Sequence, residues 1–378
     1  MLPLTGIRVA EFTNILSGPY CGMLLSDLGA NVIKIEKPTG DDMRYWPPVN
    51  DGYSENFASV NRNKRSIALN LKSETDLEVA RDLCRTSHIV LENNRPGAMA
   101  RLGLGYDDVK ALNPAVIYCS ISAFGTDGPD AKRGGFDLVV QAESGIMSVT
   151  GEDDPVKCGV PISDVATGLY AAFAISAALR EVEKTGVGTF IDMSMLGASI
   201  GIAALQTSEF FGMGRNSPRM GSRHPRNAPY QAFKARDGLF VMAAGNDKLF
   251  HDVCRVVGRM DLTERPEYAT TTLRAQNQAE LAQTLEIEFA EKTAAEWVDV
   301  LGAAGLPCGL IHGYEDALAQ PQVRHCGFVQ PMTLPNGVET HTFGSAIRFN
   351  GESQPIRSRP PALDEHGEEI RAEVRNLA

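Results

Sequence analysis

Between residues 7 and 195, short β-branched and apolar runs alternate with longer amphipathic ones. This alternation narrows the fold more than any other feature of the chain. Ile7–Phe12, Asn31–Ile35, Ser66–Leu71, His88–Glu92, Val116–Ser122 and Thr189–Met195 read as strands. Pro19–Leu28 (stopped by Gly29), Glu74–Arg85 and Val165–Leu179 read as helices. Strands separated by helices join through right-handed crossovers, which gives a parallel sheet covered by helices on both faces. The predicted class is α/β, with a large Rossmann-like parallel-sheet domain.

The chain has 378 residues, more than one compact domain ordinarily holds. Its texture changes after Phe211, where Gly212–Arg226 is rich in Gly, Pro, Arg and Ser. Beyond that, Tyr230–Lys234 and Leu239–Ala243 flank Arg236-Asp237-Gly238 as a hairpin. Asp247–Val257, Gln276–Glu291 and Ala294–Ala303 read as helices. The expected organisation is a large α/β domain of residues 1–200 with 330–378, a linker over 201–226, and a small α/β domain with a return linker over 227–329. From about Gln330 the chain is Pro-rich and extended, and a last acidic helix near Glu365–Arg375 is expected to return to the large domain.

A net charge of −11 repels phosphate backbones, so nucleic acid is not an expected partner. The seven cysteines show no CxxC spacing and stand among apolar neighbours, which suits buried reduced thiols. The start, MLPLTGIRVAEF, lacks the basic end and long apolar run of a signal peptide. Charged and polar residues interrupt every long apolar window, so no membrane span is expected. The expected setting is cytoplasmic. There is no P-loop, no HExxH and no Cys/His set at metal spacing.

Four stretches carry possible chemistry. The first strand–helix turn, Asn14-Ile15-Leu16-Ser17-Gly18-Pro19, lacks the second glycine that brings backbone against a dinucleotide pyrophosphate. Glu36 ends the second strand where ribose-binding acids stand, but Lys37 follows it and suits a phosphate or adenine better. Gly197-Ala198-Ser199-Ile200-Gly201 matches the GxSxG nucleophile elbow, between a strand and a helix, with His224, His251 and His312 downstream. Small residues at that place also serve close helix–sheet packing.

Ile162-Ser163-Asp164-Val165-Ala166-Thr167-Gly168 leads from a Gly/Pro loop into a small-residue helix. Ser163 or Asp164 fits as its N-cap. The same amides and helix dipole would keep the Asp164 carboxylate ionised and fixed, as a covalent nucleophile requires. The last stretch is a basic turn, Asn61-Arg62-Asn63-Lys64-Arg65, followed by Lys72, Asn93, Asn94, Arg95 and Arg101 near the ends of later strands. In a parallel sheet those ends share one edge, where their charge would suit phosphate groups; a solvated face explains the pattern equally well.

With these residues in view, the chain resembles the class III CoA-transferases, the CaiB/BaiF family, almost end to end. The resemblance is carried by SGPYCGMLLSDLGANVIKIEKPTGDDMR, NRNKRSIALNLKS, HIVLENNRPGAMARLGLGYDDV, NPAVIYCSISAFG, PISDVATGLYAA, GTFIDMSMLGA, APYQAFKARDG, AAGND and GLPCGLI. It implies that Asp164 is the nucleophile and that Asp137 lies near the reacting centre. It implies CoA contacts from Leu16, Ser17, Lys37, Leu69, Lys72, Asn93, Asn94, Ala98 and Arg101, and the charge pattern adds Arg95. It further implies a homodimer of interlocked, ring-like subunits, and CoA or acyl-CoA as substrate with no permanently bound cofactor.

Relatives that racemise 2-methylacyl-CoA carry a histidine where this chain has Phe136, so proton removal and return at an α-carbon loses a partner. The formyl/oxalyl branch carries a glycine run where this chain reads Ala243-Ala244-Gly245-Asn246-Asp247. VNRNKRSIALN, SDVATGLYA and PYQAFKARDG resemble the succinyl-CoA-dependent branch, whose acceptors are dicarboxylates. The implied reaction moves CoA from an acyl-CoA to a free acid through an aspartyl-CoA thioester. Amides around Gly245 and Asn246 are expected to stabilise the oxyanion, and Arg44, Arg223 or Arg226 to hold a distal carboxylate. A racemase-like isomerase and a non-catalytic CoA-binding protein are the alternatives.

Overall fold

A computed structural model describes residues 2–377. The chain divides into two compact units, one of residues 1–147, 157–208 and 321–378 and one of 148–156 and 209–320.

The first unit is built on a six-stranded parallel sheet of β1 (Arg8–Phe12), β2 (Asn31–Glu36), β3 (Lys64–Ala68), β4 (Ile89–Glu92), β5 (Ile117–Ser122) and β6 (Thr189–Ser194). The spatial order is β3-β2-β1-β4-β5-β6, the 3-2-1-4-5-6 order of a doubly wound sheet. Successive residues of a strand face opposite sides, and both sides are apolar. Ala10, Phe12, Ile33, Ile35, Ile67 and Val90 pack on one face with Leu77, Ala80, Leu83 and Cys84 of α2 (Glu74–Thr86). Val9, Val32, Ile89, Leu91, Ile117 and Cys119 pack on the other. There they meet Cys21 and Leu25 of α1 (Ser17–Asp27) and Ala171, Ile175 and Leu179 of α4 (Ile162–Thr185). Ile370 and Val374 of the last helix, Gly367–Leu377, close the α2 side, where Arg8 and Arg65 both bind Glu373.

Two elements differ from the sequence expectation. β3 runs over Lys64–Ala68 instead of Ser66–Leu71, because the Lys64 ammonium is fixed inside by Glu11 at 2.9 Å and the Asn70 amide turns away to Asp76. α4 begins at Ile162 and continues to Thr185, so neither Ser163 nor Asp164 is its N-cap. Pro161 holds that position, and the acceptor for the first amides comes from α3 (Asp137–Glu143). By length and composition alone α4 is apolar enough to cross a membrane, but one of its faces is core.

Gly168 fixes how closely α4 approaches α1. A Cβ on it would come within 2.8 Å of the Ser17 carbonyl oxygen. This contact brings the start of α4 against the start of α1.

The second unit holds an antiparallel sheet of β7 (Tyr230–Lys234), β8 (Leu239–Ala243) and β9 (Cys308–Leu310), ordered β9-β8-β7. Phe233, Phe240, Phe289 and Trp297 stack edge-on or tilted in its core. The stretch 201–226, expected as a linker, contains the helix Ala204–Met213. Its later part is tied down, with Arg219 donating to the Asp153 carbonyl at 2.9 Å and Arg223 paired with Glu152.

Candidate active site

Strand order reverses between β1 and β4, so the loops leaving their carboxyl ends diverge and open a crevice. The walls of that crevice are Thr13–Ser17 after β1 and Asn93–Arg95 after β4. The β1 turn is gripped from several sides. Asn93 accepts the Asn14 N–H at 2.8 Å and donates to the Asn14 carbonyl at 2.8 Å, as a strand neighbour would. Asn94 donates to the Phe12 carbonyl at 3.0 Å. Ile15 is left-handed, at φ +66°, a conformation that β-branched residues rarely adopt.

This turn aims the start of α1 at the start of α4. The Ser17 side chain lines the same cavity as the Asp164 carboxylate, which lies in the first turn of α4, and favours its charged form. Behind that turn stands Asp137, whose Oδ1 accepts the Ser163 N–H at 2.9 Å and the Asp164 N–H at 3.4 Å. Gln141, one turn along α3, donates to Asp137 Oδ2 at 2.6 Å and accepts the Cys158 N–H at 2.8 Å, which fixes the carboxylate. Asp137 therefore does from outside what the N-cap Pro161 cannot.

Asp164 is half-buried, and its carboxyl is pushed up to about 7. Burial is the main cause and the Asp137 charge the second, while the Ser17 hydroxyl opposes both. The sequence expectation of a fully ionised group is thus corrected. The Ser17 hydroxyl favours the charged form, but desolvation and a like charge keep the carboxyl near its titration point at neutral pH.

Asp164 lines a cavity of about 430 Å³ together with Leu16, Ser17, Asn93, Asn94, Arg95 and Arg133. A second cavity of about 330 Å³ is lined by Lys37, Leu69, Lys72, Asn94 and Ala98. Asn14 and Asn94 line both, so the two share a wall. The groove runs from the Asp164 carboxylate to two lysines. That suits an elongated ligand with an electrophile at one end and anionic groups at the other. Among the described residues there is no cluster of His, Cys, Asp and Glu that could hold a metal ion.

Of the residues singled out in sequence, Leu16, Ser17, Asn93, Asn94, Arg95 and Asp164 meet in the first cavity, and Lys37, Leu69, Lys72 and Ala98 in the second. Asp137 stands behind Asp164, at the first turn of α4. Arg101 lines neither cavity; it is exposed on the helical turn Ala98–Arg101, beside Gly97.

Several expectations do not hold. The basic turn Asn61–Arg65 is structural. Arg62 and Asn63 bind Asp27, Lys64 binds Glu11 and Asn61, and Arg65 binds Glu373. Glu36 is no ribose ligand, because Arg44 holds it with two 2.7 Å bonds and Ser66 adds a third at 2.6 Å. Arg44, stacked at 3.7 Å on Phe57, is correspondingly not free to bind a substrate carboxylate. Arg223 and Arg226 pair with Glu152 and Glu209.

Ser199, the GxSxG serine, is fully buried in α5 (Met195–Ile202) and donates to the Ser163 hydroxyl at 2.8 Å. It braces the residue next to Asp164 and cannot reach a substrate. The sequence reading also missed the role of Gln141 and the strain at Ile15. The i, i+4 spacing of Asp137 and Gln141 is the one local sign of their hydrogen bond.

Residues 4–367 match the model of CoA-transferase family III. The succinyl-CoA:glutarate CoA-transferase of Mus musculus is 38% identical over 378 residues, covering 99% of this chain and 87% of the mouse protein. The acetyl-CoA:oxalate CoA-transferase of Acetobacter aceti is 37% identical over 377 residues, covering 98% and 95%. The crystal structure of a CaiB/BaiF family protein from Brucella suis superposes with a TM-score of 0.88 at 38% identity, covering 99% of both chains.

Proposed function

The chain belongs to CoA-transferase family III, and from that premise we propose that it moves CoA from succinyl-CoA to a dicarboxylic acid through a covalent adduct on Asp164. The observation that carries the proposal is the position of Asp164, an oriented carboxylate at one end of a groove whose other end presents Lys37 and Lys72. The relatives named for glutarate and for oxalate both use dicarboxylates as acceptors, which supports the substrate class and leaves chain length open. Phe136, where an α-proton exchanger would need a second acid/base, weighs against the racemase reading.

In the proposed sequence an Asp164 carboxylate oxygen attacks the thioester carbonyl. The C–S bond breaks, CoA thiolate leaves, and a succinyl–aspartyl mixed anhydride forms. The thiolate attacks the aspartyl carbonyl, expelling succinate and leaving an aspartyl-CoA thioester. The acceptor carboxylate attacks that thioester and releases thiolate again. The thiolate then takes the acyl group of the new anhydride and frees Asp164. Every intermediate is an activated acyl group, so no nucleotide is consumed.

Lys37 and Lys72 retain CoA while its thiolate is free, making each return attack effectively unimolecular. The Ser17 hydroxyl orients the carboxylate before attack, and with the positive end of α4 it stabilises the charge when Asp164 is released.

Leu169, Tyr170 and Phe173 on α4 and Phe211 are exposed apolar side chains. They support a homodimer, which we propose is interlocked. The seven cysteines are all free, which suits a reducing, cytoplasmic setting.

The test is Asp164→Ala assayed with succinyl-CoA against glutarate, malate, mesaconate and oxalate. Loss of CoA transfer by at least a thousandfold is expected, with an unchanged circular dichroism spectrum. Wild-type enzyme quenched with hydroxylamine should carry the label on Asp164 only when acyl-CoA is present. Near-normal turnover by Asp164→Ala sinks the proposal.

A further inference from the structure

A charge cluster closed off from solvent lies beneath the crevice. Lys34, Glu11, Lys64 and Asp41 are all fully or almost fully buried. Lys34 binds Asp41 at 2.9 Å, and Lys64 binds Glu11 at 2.9 Å. Burying ions is unfavourable unless geometry and hydrogen bonds compensate, so such a cluster seldom serves stability alone. Its polar contacts converge on the β1 turn. Lys34 donates to the Thr13 carbonyl at 2.9 Å, and the Thr13 hydroxyl donates to Glu11 at 2.8 Å. Both Asp41 oxygens lie 3.2 Å from the Ile15 N–H, and Oδ1 also accepts the Met43 N–H at 3.0 Å. Ile15 is the left-handed residue, two positions before Ser17, which shares a cavity with Asp164.

We propose that Asp41 is a positioning residue for CoA transfer: its carboxylate, fixed by Lys34, holds Ile15 in the left-handed conformation and thereby sets Ser17 against Asp164. This rests on the reading of Asp164 as the reacting carboxylate. Asp41 does not line the 430 Å³ cavity of Asp164, and it acts through the backbone. A left-handed isoleucine returns to the extended or right-handed region once its amide loses that acceptor. The start of α1 then swings and carries the Ser17 hydroxyl away. The second cavity, with Lys37 and Lys72, is formed largely by other residues. Loss of Asp41 therefore lowers kcat far more than it raises KM for acyl-CoA.

Lys34→Met/Asp41→Leu removes the ion pair as a unit, so no unpaired charge remains inside. The expected result is a folded protein whose kcat falls at least tenfold with less than a threefold change in KM. Adding Ile15→Gly, which occupies the left-handed region without an acceptor, should recover most of the lost kcat. A merely structural role predicts no such recovery, because glycine only loosens the chain. Asp41→Asn keeps an acceptor for Ile15 and should lose less turnover than the leucine variant.

A folded double variant with kcat within twofold of wild type overturns the proposal, as does a triple variant no faster than the double. Should the double variant not fold, Ile15→Pro leaves the ion pair intact but forbids positive φ. Its kcat should fall at least tenfold, and wild-type turnover by it overturns the proposal. Asp164→Ala is run alongside. If that variant turns over normally, the reading of Asp164 fails; if it is dead while the variants here are fully active, only the role of Asp41 fails.

Discussion

Asp137 and Asp164, 27 positions apart in sequence, meet across the end of α4, where Asp137 Oδ1 accepts the Ser163 N–H at 2.9 Å and the Asp164 N–H at 3.4 Å. One carboxylate thus caps the helix whose first turn carries the other, and its charge helps keep the second partly protonated at neutral pH. Acidic capping stabilises the helix start, while the like charge makes Asp164 harder to ionise.

The pH profile follows from this pair. In the proposed mechanism the ionised form of Asp164 attacks, so kcat should rise as pH passes through about 7. Asp137→Asn removes the neighbouring charge and should move that limb toward acid. The new amide faces the Gln141 amide donor that now serves Asp137 Oδ2, so stability should fall by about 1 kcal/mol. Rate–pH profiles and thermal melts of the two proteins check both effects. A limb that stays in place excludes Asp137 as a cause of the shift.

Asp164 also links stability to pH. Its folded pKa stands above the ordinary carboxyl value, so its contribution is fully present below about pH 4 and is lost as pH rises through about 7. Asp164→Asn should therefore be more stable than wild type at pH 8, on the order of 2 kcal/mol, with the gap closing at pH 4. Melting temperatures across that range measure it, and a gap that does not depend on pH contradicts the shift.

Gly168 sets the spacing between α4 and α1. In Gly168→Ala the new methyl would meet the Ser17 carbonyl oxygen at 2.8 Å, so the helices must part. The gain in helix propensity, about 1 kcal/mol, is outweighed by overpacking of about 1–3 kcal/mol. Ser17 moves away from Asp164 with the separation, and kcat should fall about tenfold. Steady-state kinetics with a melting curve separate the two effects.

Ser199→Ala decides between the elbow motif and its structural use. Ser199 is buried against the Ser163 hydroxyl, so its loss should lower stability by about 1–2 kcal/mol and leave at least half of the turnover. A nucleophilic serine would instead lose activity by several orders of magnitude.

Arg44→Ala should act on folding. Removing the guanidinium leaves Glu36 buried with only Ser66 and the Asp41 amide as donors, and breaking such a pair costs about 3–5 kcal/mol. Denaturant titration should show that loss, while any folded fraction keeps its KM for the acceptor acid. A raised KM with unchanged stability would return Arg44 to the substrate site.

The sequence alone determined the alternation of strands and helices, because apolar periodicity and breakers such as Gly29 are local. It also determined the hairpin Tyr230–Lys234 with Leu239–Ala243, whose turn lies within a few residues of both strands. Motif identity marked the residues that line the groove, from Leu16 to Ala98, and singled out Asp164. Only the tertiary structure decided what each charge does. Arg44 and the Asn61–Arg65 turn read as ligand-binding because a basic residue looks alike whether it faces solvent or a buried carboxylate; Glu36, Asp27, Glu11 and Glu373 claim them through contacts 8 to 308 residues apart in sequence. The ionisation of Asp164 was likewise beyond a linear reading. The helix end that favours its charge is local, whereas the burial and the Asp137 carboxylate that oppose it come from elements brought together only by packing.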